Sequence, residues 1–159
     1  MNFKIRWIML ELEDIFTSEN INNALDYLST KHDSYGSDGV YLSELSAYLK
    51  ENGIVSKILS GSYVPKPAIM YEIPNSSGGL RNIYKLSSCD RLITRILSDK
   101  LQSEFDDIFS PCCIAYRPDK GVRSCVPIIR RALDNGCRCC AQIDIRDFFC
   151  TITHPLLGE

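Results

Sequence analysis

The sequence predicts an α+β fold on three observations. Apolar residues recur at helical spacing in several segments that begin with capping residues. Two short segments of β character flank a glycine-rich turn, as in a β-hairpin. A further apolar segment, from Cys139 to Phe149, has strand character and carries an aspartate. With 159 residues, 45% of them hydrophobic, the chain has enough apolar material for one core.

Helices dominate the first sixty residues of the prediction. Apolar spacing predicts a helix over 18–30, for which Ser18 is a candidate N-cap. A polar loop rich in glycine, serine and aspartate follows. A second helix is then expected from Leu42 until it stops near Gly53, and a short third helix over 54–59.

Extended structure is expected next, because Pro65 and Pro67 remove amide donors and exclude a helix around them. The segments 68–73 and 80–86 are predicted to pair as a β-hairpin, with its tip at 75–79.

Two more helices are predicted after the hairpin. Ser87 with Asp90 three residues on is typical of a capping box, and an apolar face continues from there to Ile108. Another helix is expected from Val122, and it ends at the Asn135-Gly136 pair, where a left-handed residue is favoured.

Composition narrows the possible function classes. The net charge is −2, but residues 1–60 carry 5 basic against 9 acidic side chains, whereas residues 61–159 carry 13 against 11. The second region therefore allows a surface that faces phosphates. No run of 18 apolar residues occurs, so we expect neither a membrane-spanning helix nor contact with a membrane.

Six of the eight cysteines lie between Cys112 and Cys140. They lack the spacing of two thiolates that share a zinc ion, so we interpret them as buried or incidental thiols. We read the first ten residues as part of the fold and not as a secretion signal, because acidic residues follow and no cleavage site is visible. Reduced thiols without an export signal then predict a cytoplasmic protein.

The predicted strand from Cys139 ends in Asp-x-x-Asp-aromatic-aromatic and presents Asp144 near its end. A carboxylate there can bind a hard cation such as Mg²⁺ together with substrate phosphates. By itself the observation is weak, since an aspartate at a strand end is more often a cap or an ion-pair partner.

Several short motifs follow one another along the chain in the order found in a known protein family. The chain resembles the amino-terminal half of reverse transcriptases of the group II intron, retron and bacterial defence type, over roughly residues 18–157. The matching pieces, in order, are Gly39, Leu59-x-Gly61-x-Tyr63-x-Pro65-x-Pro67, Ile73-Pro74, Gly78-Gly79-x-Arg81, Asp90-Arg91-Leu92-Ile93, Tyr116-Arg117-Pro118-x-x-Gly121, Asp144-Ile145-x-x-Phe148-Phe149 and Ile152-x-His154.

The resemblance implies a fold: the fingers subdomain of a right-hand polymerase with the first strand of the palm. Residues 1–60 would form the helical amino-terminal part of the fingers, and 61–136 the fingers hairpin and further helices. Residues 137–159 would begin a truncated palm.

The resemblance also implies residue roles. Asp144 would be the first catalytic aspartate and would bind Mg²⁺ together with the carbonyl of Ile145. Arg81 would fold over the nucleotide phosphates. Phe149 would pack under the sugar and exclude a 2′-hydroxyl, with amides near Asp147 and Phe148 facing the triphosphate.

The expected partners are an RNA template, a DNA or RNA primer, deoxynucleoside triphosphates and a further chain that carries the rest of the palm and the thumb. Arg117, Lys120 and Arg123 are candidates for nucleic-acid contact. Arg117 has a second interpretation, as a donor that stabilises its own loop.

Two departures from the family pattern stand out. Asn75 replaces the lysine that commonly follows the Ile-Pro of the hairpin, and Cys150 replaces an acid. In addition, the sequence contains no Tyr-x-Asp-Asp motif, which supplies the other catalytic carboxylates in the family. Asp147 cannot replace them beside Asp144, because residues three apart on a strand point to opposite faces.

We therefore expect a reverse-transcriptase fragment that does not polymerise alone. A non-catalytic nucleic-acid-binding or interaction module with the fingers fold is the alternative. An unrelated α+β domain with chance matches is a third.

Overall fold

The computed structural model describes residues 10–75, 78–145, 151–152 and 155. The chain divides into two compact units, the first ending at Ile108 and the second beginning at Phe109. The predicted segment boundaries after residues 60 and 136 each fall inside one of these units.

The described residues combine helices with one two-stranded antiparallel sheet, so the α+β prediction is confirmed. The helices are α1 (Leu12–Ile15), α2 (Ser18–Ser29), α3 (Leu45–Glu51), α4 (Ile54–Leu59), α5 (Ser88–Phe105) and α6 (Val122–Asp134). Single turns of 3₁₀ helix precede α3 at Leu42–Glu44 and follow α5 at Asp106–Ile108. Sequence analysis missed α1, which is only four residues long.

The capping predictions had mixed outcomes. Ser18 was the wrong N-cap for α2: the cap is Thr17, whose hydroxyl accepts the amide of Asn20, and Ser18 is the first helical residue. The hydroxyl oxygen of Ser87 accepts the amide of Asp90, which confirms the predicted start of α5. Gly53 and Gly136 both have left-handed φ angles, 57° and 90°, at the two predicted helix ends.

Among the described residues, the apolar core lies in the first unit. It joins α1, α2, α3 and α4 to the first half of α5, and its buried members are Ile15, Phe16, Ala24, Leu28, Leu42, Leu45, Leu49, Ile54, Cys89, Leu92 and Ile96. The later part of the predicted apolar face of α5 leaves the core, because Leu101 and Ile108 are 44% and 50% exposed. The hydrophobic effect therefore anchors α5 mainly through its amino-terminal half.

The hairpin forms at the predicted place, from β1 (Ile69–Pro74) and β2 (Leu80–Lys85). The strands are antiparallel, and the register pairs Ile69 with Lys85 and Pro74 with Leu80. All residues of both strands except Lys85 are exposed, so the hairpin extends from the core and does not cover it.

The second unit has no buried residue among those that the structure describes. The predicted strand from Cys139 is wrong over residues 139–145, which have no regular secondary structure. A strand needs a partner for its backbone hydrogen bonds, and none of the described residues pairs with this segment.

Within the described ranges, no helix combines the length and apolarity required to cross a membrane.

Candidate functional site

Arg81 lies on the second strand of the hairpin, one residue from the start of β2. It pairs with Ile73 in the register, and its side chain is exposed. Side chains alternate along a strand, so Arg81, Ile83 and Lys85 share one face with Ile69, Tyr71 and Ile73 of β1. This face carries two cations and an aromatic ring on an exposed ribbon.

Asn75 forms two hydrogen bonds with Gly79 across the hairpin tip. Its amide donates to the carbonyl of Gly79 at 2.8 Å, and its side-chain oxygen accepts the Gly79 amide at 2.8 Å. Gly78 has a φ of 85°, a conformation that glycine adopts without strain. Asn75, where the resemblance predicts a lysine, thus stabilises the turn near Arg81.

Asp90 collects hydrogen bonds from the segment that leads into the hairpin. Its carboxylate accepts the hydroxyl of Tyr63 at 2.9 Å, the backbone amide of Lys66 at 3.1 Å and the hydroxyl of Ser87. The side chain is buried, with an exposed fraction of 7% for the residue. Sequence analysis explained Asp90 as a cap alone and missed its two longer-range donors.

The environment of Tyr63 favours its neutral phenol. Burial is the main cause that raises the pKa of Tyr63 above its ordinary value, and the hydrogen bond to the Asp90 carboxylate adds to it. The phenol therefore remains a donor throughout the physiological pH range.

Arg117 lies in the loop between α5 and α6 and is half-buried. Its guanidinium donates to the carbonyls of Ser110 at 3.3 Å and Cys113 at 3.0 Å, and it lies 5.6 Å from the ring centre of Phe109. These contacts are those of a loop-stabilising donor, the second interpretation of this residue. Contact with nucleic acid remains a prediction.

Two residues of the same loop have left-handed backbones. Tyr116 has a φ of 57° and Asp119 a φ of 56°. The conformation is uncommon for a tyrosine, whose ring is fully exposed here. Such conformations cluster at functional sites, where surrounding structure holds them in place.

Lys120 and Arg123 are exposed around the start of α6. The helix is amphipathic: Arg123 and Arg130 lie seven residues apart on one side, whereas Val122, Val126, Ile129 and Leu133 form an apolar stripe. Lys120 and Arg123 are thus accessible to a phosphate backbone, as a nucleic-acid surface requires.

Asp144 and Ile145 are exposed at the end of the described range 78–145. No group of three metal-binding side chains occurs within the described ranges. A single carboxylate and one carbonyl do not fit a two-metal centre, which needs several converging carboxylates. Asp147, Phe148 and Phe149, the other predicted residues of this site, lie outside the described residues.

Most of the described cysteines are exposed, which agrees with incidental and not with buried thiols. Cys112, Cys113, Cys137, Cys139 and Cys140 are exposed, and Cys89 is buried. Burial, followed by the negative charge of Asp38, raises the pKa of the Cys89 thiol to about 11. A thiol of this kind is protonated and unreactive at neutral pH.

No protein-family model matches the chain. Protein YkfC of Escherichia coli (strain K12) is 29% identical to it over 128 residues, which are 77% of this chain and 34% of YkfC. The chain therefore spans about a third of the length of this relative.

Proposed function

We propose that the chain is the fingers and first palm segment of a reverse transcriptase. In the intact protein the reaction would be RNA-templated synthesis of DNA. The observation that carries the proposal is Arg81, exposed on an antiparallel hairpin beside a glycine-containing tip. The ordered motifs support it, and so does the contact between two of them, from Tyr63 to Asp90.

The proposed ligand of Arg81 is the triphosphate of an incoming deoxynucleotide. A guanidinium is planar and always charged, and it can donate two parallel hydrogen bonds to phosphate oxygens. The isoleucines and Tyr71 on the same face of the hairpin leave it apolar apart from Arg81 and Lys85. A phosphate group would therefore find few competing polar partners there.

Asp144 is the proposed first catalytic carboxylate, and Ile145 the proposed carbonyl ligand. Mg²⁺ would supply charge neutralisation at the reacting phosphate in the intact enzyme. The remaining carboxylates would come from a further palm segment, so we propose that this chain alone does not extend a primer. RNA template and primer are the proposed nucleic-acid partners, in a reducing cytoplasm that agrees with the free thiols.

Nucleotide binding provides the direct test. We expect a fluorescent deoxynucleoside triphosphate to bind the chain in the presence of a primer–template duplex and Mg²⁺. The variant Arg81→Ala should lower this affinity about tenfold, the effect of losing about 1.4 kcal/mol from charge-assisted hydrogen bonds. Arg130→Ala is the matched control, because Arg130 is also exposed but lies on α6.

Equal affinity for the Arg81 and Arg130 variants would contradict the assignment of Arg81. Robust primer extension by the purified chain would contradict the account of the missing carboxylates. In a complex reconstituted with a palm and thumb partner, Asp144→Ala should abolish extension.

A non-catalytic nucleic-acid-binding module is the second candidate. The exposed basic residues of the second unit favour it, in particular Lys120 and Arg123. RNA binding should then weaken steeply with salt and fall on charge reversal of Lys120 and Arg123. Unchanged binding after charge reversal would exclude this candidate.

A further inference from the structure

The loop that precedes α3 contacts both roots of the hairpin through a single residue. The amide of Ser37 donates to the carbonyl of Leu86 at 2.9 Å, just after β2 ends. The hydroxyl of Ser37 donates to the carbonyl of Pro67 at 3.4 Å, two residues before β1 begins. Ser37 thus lies where the chain enters and leaves the hairpin.

The neighbouring Asp38 joins the same loop to two other segments. Its Oδ1 accepts the amides of Val40 at 3.3 Å and Ser88 at 3.2 Å, the latter at the start of α5. Its Oδ2 lies 3.9 Å from Nζ of Lys66, and the Asp38 side chain has no exposed surface. Oδ2 is buried and accepts no hydrogen bond from the described residues, so the half-exposed Lys66 ammonium offsets part of its charge. Through these groups Asp38 contacts its own loop, the start of α5 and the hairpin entry.

Close packing keeps this loop in place against α5. A side chain at Gly36 would collide with the backbone of Ser87 and Ser88. The hydroxyl of Ser88 also donates to the carbonyl of Val40 at 2.7 Å. The contact between loop and helix therefore leaves no room for movement towards the helix.

Lys66 connects this loop to Asp90. Its amide donates a hydrogen bond to the Asp90 carboxylate, and its half-exposed ammonium lies 3.9 Å from the buried Asp38 carboxylate. Tyr63 adds a third attachment of the same segment. The chain is consequently fixed immediately before β1.

Apart from the Lys85 ammonium, which lies 3.5 Å from the centre of the Tyr35 ring at the root of the hairpin, the side chains of both strands are exposed. Both faces of the ribbon are exposed, and a two-stranded hairpin alone is only marginally stable. The direction of the hairpin is therefore set at its roots.

We propose that Asp38 is a positioning residue, which fixes the direction of the hairpin and thereby the place of Arg81. The nucleotide as the ligand of Arg81 rests on the proposed function, whereas the control of the hairpin by Asp38 does not. Asp38 contacts neither Arg81 nor the nucleotide and acts through Lys66 and Ser88.

Backbone relaxation measured by NMR tests the geometric part. In the parent chain the amides of Tyr71 and Ile83 should have order parameters of about 0.85, and in Asp38→Asn they should fall toward about 0.6. The amide of Leu92 in the core should not change. Asp26→Asn is the matched control, since Asp26 is exposed on α2.

The variant Lys66→Met removes the ion pair between Asp38 and Lys66 by changing its half-exposed partner. It serves as the second variant if Asp38→Asn does not fold. A fall in the hairpin order parameters in either folded variant supports the proposal. Unchanged order parameters and unchanged residual dipolar couplings of the hairpin in the folded variants would overturn it.

A double-mutant cycle separates positioning from general stability. Asp38→Asn should weaken binding of the fluorescent nucleotide in the parent background and have no further effect in the Arg81→Ala background. An equal additional loss in the Arg81→Ala background would overturn the link from Asp38 to Arg81. Nucleotide binding that does not depend on Arg81 would refute the proposed function, while the relaxation data would still decide the role of Asp38 in the hairpin.

Discussion

The hydroxyl of Tyr63 donates a hydrogen bond of 2.9 Å to the buried carboxylate of Asp90, 27 residues further along the chain. The bond joins the proline-containing segment before the hairpin to the first turn of α5. It links local turn chemistry to tertiary structure, because Asp90 also takes part in the cap with Ser87.

Removal of this hydroxyl should destabilise the first unit. We expect Tyr63→Phe to lower the free energy of unfolding by about 1.5–3 kcal/mol, the usual range for a hydrogen bond to a charged group. Urea unfolding followed by circular dichroism measures the change. Tyr84→Phe is the control, since Tyr84 is 61% exposed, and its hydroxyl should contribute nothing measurable; equal stability of the two variants would refute the role of the bond.

Gly36 should tolerate no side chain. A Cβ atom there would lie 2.7 Å from the carbonyl carbon of Ser87 and closer still to the amide nitrogen of Ser88. Both are backbone atoms and cannot rotate away, so we expect Gly36→Ala to cost about 3 kcal/mol, the upper end of the usual effect of overpacking.

Gly121→Ala is the matched control for this substitution. A Cβ atom at Gly121 would have no heavy atom within 4 Å, and its φ of −175° is open to any residue. Thermal unfolding of both variants measures the difference, and a midpoint for Gly36→Ala equal to that of the parent would show that the loop does not pack against α5.

Sequence reasoning located the elements whose causes are local. The hairpin followed from the prolines and glycines around two apolar segments, and α4 from its spacing after Gly53. The partners of Asp38 and Asp90 could not be predicted in this way. Asp38 accepts the amide of Ser88, 50 residues away, and only tertiary packing brings such groups together.

The wrong strand prediction has a related cause. The apolar segment around Ile143 has strand character, but a strand forms only when another segment pairs with it. Ile143 is 89% exposed, so neither pairing nor burial stabilises an extended conformation here. The arginine on the hairpin was found from the resemblance, whereas the residues that hold the hairpin carried no recognisable signal apart from the polar composition of the loop.

Alkaline pH should destabilise the fold through Cys89. Burial raises the pKa of this thiol from 9.0 to about 11, so the unfolded state loses its proton first as the pH rises. The stabilising effect is fully present below pH 9 and is lost between pH 9 and about 11, at up to about 1.4 kcal/mol per pH unit.

Urea unfolding at several pH values checks this prediction. Cys89→Ala should show a shallower fall in stability between pH 9 and 11 than the parent chain. Cys112→Ala, which removes an exposed thiol, should keep the parental slope. A parental slope in the Cys89 variant would show that this thiol titrates normally.

The apolar stripe of α6 should contribute little to the stability of the chain. Val126 and Ile129 are 60% and 57% exposed, so a charge at either position remains solvated. We expect Ile129→Glu to change the free energy of unfolding by no more than about 0.5 kcal/mol. It should also reduce the fluorescence of a hydrophobic dye such as ANS, because the dye binds exposed apolar surface.

Leu45→Ala provides the contrast for α6, because Leu45 has no exposed surface. This substitution should lower the free energy of unfolding by about 2–5 kcal/mol. A loss of that size in Ile129→Glu would contradict the exposed position of the stripe, because it would mean that the residue is buried in solution. A small loss together with reduced dye binding would show that α6 keeps an apolar face open to solvent, as its spacing and exposure indicate.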